Sequence, residues 1–228
     1  MPRTRLNSGS FVGSDFVMPK PVHYSRSIHF DFAAEAVLQR PKLAAYITSI
    51  SNSWNEIDAR LSVFLAALLG TEATTVITIF VALKADAAKR AAVDAIASLK
   101  LNEDQQKTFE KIMITLGKRY DERNKAIHGA WGISNSYPND LLWADIRETT
   151  ILAVELMKLN AAGNEPGQHE AVLRQQKKIL VYNENDFIDI HNRMVEAYSE
   201  LDAFVSPFTN QAFGQAFSSV SKSPLPKV

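Results

Sequence analysis

The 228-residue chain contains no cysteine, which excludes disulfides and thiolate metal sites and makes an intracellular compartment the natural expectation. It has no excess of charge either: 25 basic and 25 acidic residues cancel. A neutral chain is not a general nucleic-acid coat, so any contact with RNA has to come from a local patch. No phosphate-binding glycine loop, Gly-x-Ser-x-Gly elbow or His-Glu-x-x-His pair occurs, which removes the support for P-loop nucleotide hydrolysis, serine hydrolysis and zinc proteolysis. Residues 1–16 carry Arg3 and Arg5 but no continuous apolar core, unlike a secretory signal. The single run of membrane-spanning length, residues 61–83, holds one charge, Glu72. Gly70-Thr71-Glu72 interrupts it as a helix stop followed by a cap and a first-turn acid would, leaving two segments too short to span. A soluble, cytoplasmic protein without membrane contact is therefore expected.

What is present is helical periodicity. Residues 1–40 mix Ser, Gly, Pro and scattered aromatics without a steady period and read as a loosely ordered arm, which Phe11, Phe16, Phe30 and Phe32 are placed to dock. Pro41 suits a first helical turn, and Leu43, Ile47, Ile50, Trp54, Ile57, Leu61, Phe64 and Leu68 then recur every three or four residues. Thr71 or Thr74 is expected to open a second helix, and residues 86–99 a third. Asn102 caps a fourth, with Glu103 and Asp104 in its first turn, running to His128. Beyond Gly129 the pattern alternates: residues 130–134 and 141–146 are strand candidates joined by a turn at 136–140, and 179–182 is a third. Residues 147–159 and 168–178 read as helical, and Asn183 or Asn185 caps a last helix ending near Val205. Ser, Pro, Gly and Gln from residue 206 onward suggest a flexible tail. The expected architecture is a mainly α helical domain, residues 41–205, with a small β insertion at about 130–182.

The densest chemistry lies at the end of the fourth helix, where residues 118–132 read Lys-Arg-Tyr-Asp-Glu-Arg-Asn-Lys-Ala-Ile-His-Gly-Ala-Trp-Gly. Asn124 and His128 are four apart and share a helix face. The long stem of Arg123 lets its guanidinium reach the same neighbourhood. A planar permanent cation beside a titratable ring suits a phosphodiester. The hexapeptide Arg123-Asn124-Lys125-Ala126-Ile127-His128 resembles the Arg-polar-x3-His signature of HEPN domains, all-α domains many of which are metal-independent endoribonucleases of toxin, anti-phage and RNA-processing systems.

That resemblance implies a helical bundle of HEPN type acting as a homodimer, each protomer lending one motif to a shared cleft, with RNA as substrate and an antitoxin or other protein as a possible partner. His128 would act as base or acid, Arg123 would hold the non-bridging phosphate oxygens, and Asn124 would orient His128 or bond the scissile group, giving a 2′,3′-cyclic phosphate. Lys118, Arg119 and Lys125 form a basic side that tracks the RNA backbone or is simply solvated, and Trp131, like Trp143, either stacks on a base or packs in the core. No metal and no cofactor are expected; His191 with Asp186 or Asp189 lacks a second histidine at ligand spacing. The competing structural reading makes His128 a cap for its own helix and Arg123 half of an ion pair with Asp121 or Glu122. A catalytically silent module that binds RNA or protein is the functional alternative.

Overall fold

The computed structural model describes residues 19–22 and 29–213. Its framework is three long helices. Helix α1, Pro41–Leu69, starts with Pro41 in its first turn, where the missing N–H costs nothing, and ends at Gly70, whose left-handed backbone (φ 63°, ψ 33°) returns its N–H to the carbonyls of Ala66 and Ala67. Helix α2, Ala73–Ala82, and helix α3, Asp86–Lys100, turn back on α1. Neither Thr71 nor Thr74 caps α2; Glu72 takes that place, and its carboxylate accepts from the Thr75 hydroxyl at 2.7 Å. The apolar run at 61–83 is thereby broken as expected, and no helix among the described residues is long and apolar enough to cross a membrane.

Helix α4, Glu103–His128, opens with a capping box in which the Asn102 side chain accepts from the Gln105 N–H and the Gln105 side chain from the Asn102 N–H, both at 3.0 Å. Its buried stripe, Phe109, Ile112 and Leu116, faces α1 and the C-terminal helix. Helix α5, Ile146–Ala161, and helix α6, Glu165–Gln176, form a hairpin turned by Gly163 (φ 65°). Helix α7, Glu184–Phe213, runs along α1. It passes the expected stop at Val205, even though Pro207 has no N–H for the carbonyl of Ala203. Phe208 lies 5.4 Å from the Phe64 ring and Thr209 is buried, so packing outweighs the proline. Burial of a Leu or Phe such as Leu61, Phe64, Leu116 or Leu201 contributes about 1.5–3 kcal/mol each.

A five-stranded antiparallel sheet lies beside this bundle in the order β1-β5-β4-β3-β2, where β1 is Lys20–Pro21, β2 Asp31–Phe32, β3 Gly129–Ser134, β4 Tyr137–Asp145 and β5 Leu180–Tyr182. Both edge strands come from the stretch expected to be a loose arm, and a short 3-10 helix, Ala34–Gln39, leads from β2 to α1. Phe30 and Phe32 do dock on the body, while Phe11, Phe16 and residues 214–228 lie outside the described residues. The β3–β4 hairpin turns at Asn135-Ser136, ahead of the expected 136–140 cluster, and pairs Trp131 with Trp143. Trp131, Ile133, Leu141, Trp143, Leu180 and Tyr182 pack with the helical core. Leu142, Ala144 and Val181 join Val22 and Ile179 in a second, smaller cluster.

Candidate functional site

An α-helix leaves its last carbonyls without amide partners, and the end of α4 shows how this chain satisfies them. The Gly129 N–H and the Trp143 indole N–H both donate to the Lys125 carbonyl, the latter at 2.7 Å, and the Trp131 indole N–H donates to the Ala126 carbonyl at 3.0 Å. Two tryptophans from paired strands thus close the motif helix. Gly129 is extended (φ −77°, ψ 153°) rather than left-handed, so it does not end the helix by conformational freedom. It is required for clearance: a Cβ there would sit 1.7 Å from Trp143 Nε1.

The capping role assigned to His128 in the structural reading is therefore taken by Trp131 and Trp143. His128 is exposed and makes no hydrogen bond or ion pair among the described residues. Arg123 donates from Nη1 to Asn124 Oδ1 at 3.0 Å, and its buried Nε has no partner among the described residues. Asn124 therefore orients the guanidinium with its carbonyl oxygen, leaving its amide NH2 for His128 or a ligand. Arg123 makes no ion pair with Asp121 or Glu122.

Glu122 is engaged elsewhere. Its Oε1 accepts from Arg193 Nε at 3.2 Å and lies 3.0 Å from Nη2, while its Oε2 lies 3.2 Å from Arg119 Nη1. Arg119 is 8% exposed, so its assignment to an RNA-facing basic side is corrected: it is a buried member of an Arg–Glu–Arg bridge joining α4 to α7. Burial pushes its pKa below the usual arginine value, with Glu122 opposing and Arg193 adding to the shift. Trp131 is likewise corrected as a stacking platform. It is 9% exposed, with its N–H committed to Ala126 and its ring packed on Tyr182 and Phe187 at 5.3 and 5.6 Å. Lys118 and Lys125 remain exposed, as expected of a solvated or RNA-facing cation.

The geometry thus brings together Arg123 and Asn124 by direct contact, leaves His128 free one turn on, and removes Arg119 and Trp131 from the surface. Two parts of the site were not read from sequence: the capping role of Trp143 and the presence of Arg193. Neither carried a local signal: the pairing of Trp143 with Trp131 depends on the hairpin turning at Asn135-Ser136, ahead of the expected cluster, and Arg193 is 71 positions from Glu122. Comparison with known proteins finds no matching family model, curated protein or solved structure. The chain is a mainly helical protein with a small antiparallel sheet.

Proposed function

We propose that the chain is a metal-independent endoribonuclease of HEPN type, acting in the cytoplasm as a homodimer with a composite cleft. The observation that carries this reading is that the fold makes no use of the His128 side chain. The helix end it occupies is already capped by two indoles, and the imidazole stands in solvent. Arg123 supports it, held by a neutral amide instead of a carboxylate and so retaining its full charge for a phosphate. His128 of one copy takes the proton from a ribose 2′-hydroxyl, the 2′-oxygen attacks phosphorus, and the P–O5′ bond breaks. His128 of the second copy returns a proton to the 5′-oxygen, leaving a 2′,3′-cyclic phosphate. Arg123 stabilises the charge that develops on the non-bridging oxygens. Lys118 and Lys125 guide the backbone, and a toxin or phage-defence setting with an antitoxin follows from the motif's resemblance alone.

A second reading, a silent RNA- or protein-binding module, is favoured by one observation: Arg119 and Trp131 are buried, which thins the basic and aromatic surface around the motif. Incubation with a mixed single-stranded RNA pool in excess chelator separates the two. The nuclease gives cyclic-phosphate ends that Arg123→Ala and His128→Ala each reduce by about 100-fold or more, with melting temperatures within about two degrees of wild type. Binding without cleavage, or cleavage that magnesium alone restores, selects against it. A strict monomer by light scattering eliminates the composite cleft.

A further inference from the structure

The starts of α1, α7 and β4 line a polar cavity of about 540 Å³, in the range of small-molecule sites. It lies away from the motif: Gly129, next to His128, pairs with Asp145, and Asp140 is five residues back along β4, about 17 Å at the usual strand rise. The charges of its wall cancel. Lys42 is paired with Glu184 at 2.7 Å, and Arg40 offsets Asp140 without an ion pair. Such a wall selects neither an anion nor a cation. The rest of the polar lining is carboxamide: Gln39, Asn139 and Asn185 are exposed and make no side-chain hydrogen bond among the described residues, while Asn183 has committed its Oδ1 to the Asp186 N–H. Asp140 is the unused acceptor. It is half-buried, makes no hydrogen bond or ion pair among the described residues, and neither of its oxygens is sealed from solvent. Burial holds its pKa above the ordinary carboxylate value, with Arg40 opposing, so the group has lost part of its hydration and gained no donor in return.

We propose that this cavity holds a guanine base, whose adjacent N1–H and N2–H2 groups donate to the two oxygens of Asp140 while its O6 accepts from a carboxamide NH2 of the wall. Guanine is neutral, as the balanced wall requires, and it presents two neighbouring N–H donors on one edge, which an ionised carboxylate matches in bidentate fashion. Adenine, cytosine and uracil alternate donor and acceptor along that edge, and each would set an acceptor against one carboxylate oxygen at a desolvation cost. A sugar also offers paired donors, but no aromatic ring lines the cavity to cover its apolar face. A base has the Pro41 ring and the Arg40 guanidinium to lie against. The cavity takes its base whether or not Arg123 and His128 cut RNA; on a strand that they do cut, it reads a position removed from the scissile bond.

Titration of the full chain with guanosine, followed through its backbone amide NMR signals, tests the site. Guanosine should shift the amides of residues 139, 140 and 183–185 and leave those of 123–128 in place. Inosine, which lacks only the N2 amine, should bind about tenfold more weakly, the effect of one hydrogen bond to a charged group. Asp140→Asn should bring guanosine down to the affinity of inosine, because the new amide NH2 faces a donor of the base. The variant's melting temperature should not fall, since Asp140 makes no hydrogen bond within the described fold. A uridine oligomer carrying one guanosine separates the two sources of the base: binding tighter than guanosine assigns it to an RNA strand, equal binding to a free nucleoside. Equal affinity for guanosine and inosine, a preference that survives Asp140→Asn, shifts confined to residues 123–128, no shift at the solubility limit of guanosine, or stronger binding of glucose each overturns the assignment.

Discussion

The α1–α4–α7 bundle and helix α5 of the α5–α6 hairpin both carry apolar residues at helical spacing, yet they use them in opposite ways. In the bundle the stripes close on one another: Phe64 meets Phe109, Phe204 and Phe208 at ring distances of 5.3–5.7 Å, and Ile57, Leu61, Leu116 and Leu201 are fully buried. In the hairpin, α5 has no buried residue, and Ile146, Ile151, Val154 and Met157 are exposed. Its ion pairs, Arg174 to Glu155 at 2.5 Å and Lys178 to Glu148 at 2.7 Å, are exposed and of the kind worth little. Periodicity reports that a segment is helical and which residues share a face. It does not report how completely that face is covered.

The sharpest way to break the comparison is to truncate one side chain on each side of it. Phe64→Ala should cost about 3–5 kcal/mol, since it removes a buried ring at the junction of three helices and leaves a cavity. Met157→Ala, on the exposed face of α5, should stay within about 0.5 kcal/mol. Urea denaturation measures both. A loss at Met157 approaching that at Phe64 would mean that the α5 face is covered in solution, by a second copy or another part of the chain.

The next largest effect tests how the bundle holds charge. Glu122 is the counter-charge shared by two guanidiniums, and Glu122→Gln keeps the shape while removing it. Because Glu122 is partly exposed, solvent screens the loss, and about 2 kcal/mol is expected. The corresponding change in the hairpin, Glu155→Gln, should fall below about 0.5 kcal/mol. High salt should abolish the Glu155→Gln loss while leaving most of the Glu122→Gln loss, because exposed charges are screened more than half-buried ones. Equal losses would place the Arg–Glu–Arg bridge at the surface.

The same contrast explains how far the sequence could be read. The start and stop of α1 and the start of α4 were legible because each is set locally: Pro41 in a first turn, Gly70 as a left-handed stop, Asn102 in a capping box. Strand β3 was legible from its alternation. Strands β1 and β2 were not, because two-residue strands have no period of their own and exist only through distant partners, Lys20 with Val181 and Asp31 with Ile133. At the candidate site the helix, Arg123, Asn124 and His128 could be located from spacing. The divergence between Arg119 and Arg123, four residues apart on one helix, could not. It depends on Arg193 of α7 meeting Glu122, a contact that no local pattern announces. Trp131 was lost to the core because its strand face, shared with Ile133, turns toward the helices.

The smallest effect concerns the start of α7, where bundle and sheet meet. Asp186 is buried, its Oδ2 accepts from the Asn183 N–H at 2.8 Å, and its own N–H donates to Asn183 Oδ1 at 3.2 Å, a reciprocal cap. Its Oδ1 has no partner among the described residues. Burial raises its pKa above the ordinary carboxylate value; the Asn183 N–H opposes this, nearby Asp189 and Asp140 add to it, and Lys20 offsets part. A carboxyl whose folded pKa is raised holds its proton more tightly when folded than when unfolded. Its favourable contribution is therefore present below the usual carboxylate range and is lost as pH climbs through the raised value toward neutrality. Asp186→Asn keeps an oxygen to accept from Asn183 and removes the buried charge. The variant should melt roughly one to three degrees above wild type at pH 7, and the difference should vanish or reverse near pH 3. Thermal melts of both proteins across that interval check the sign. A variant less stable than wild type at pH 7 would mean that the cap needs the carboxylate's charge at the positive end of α7 more than the interior resists it.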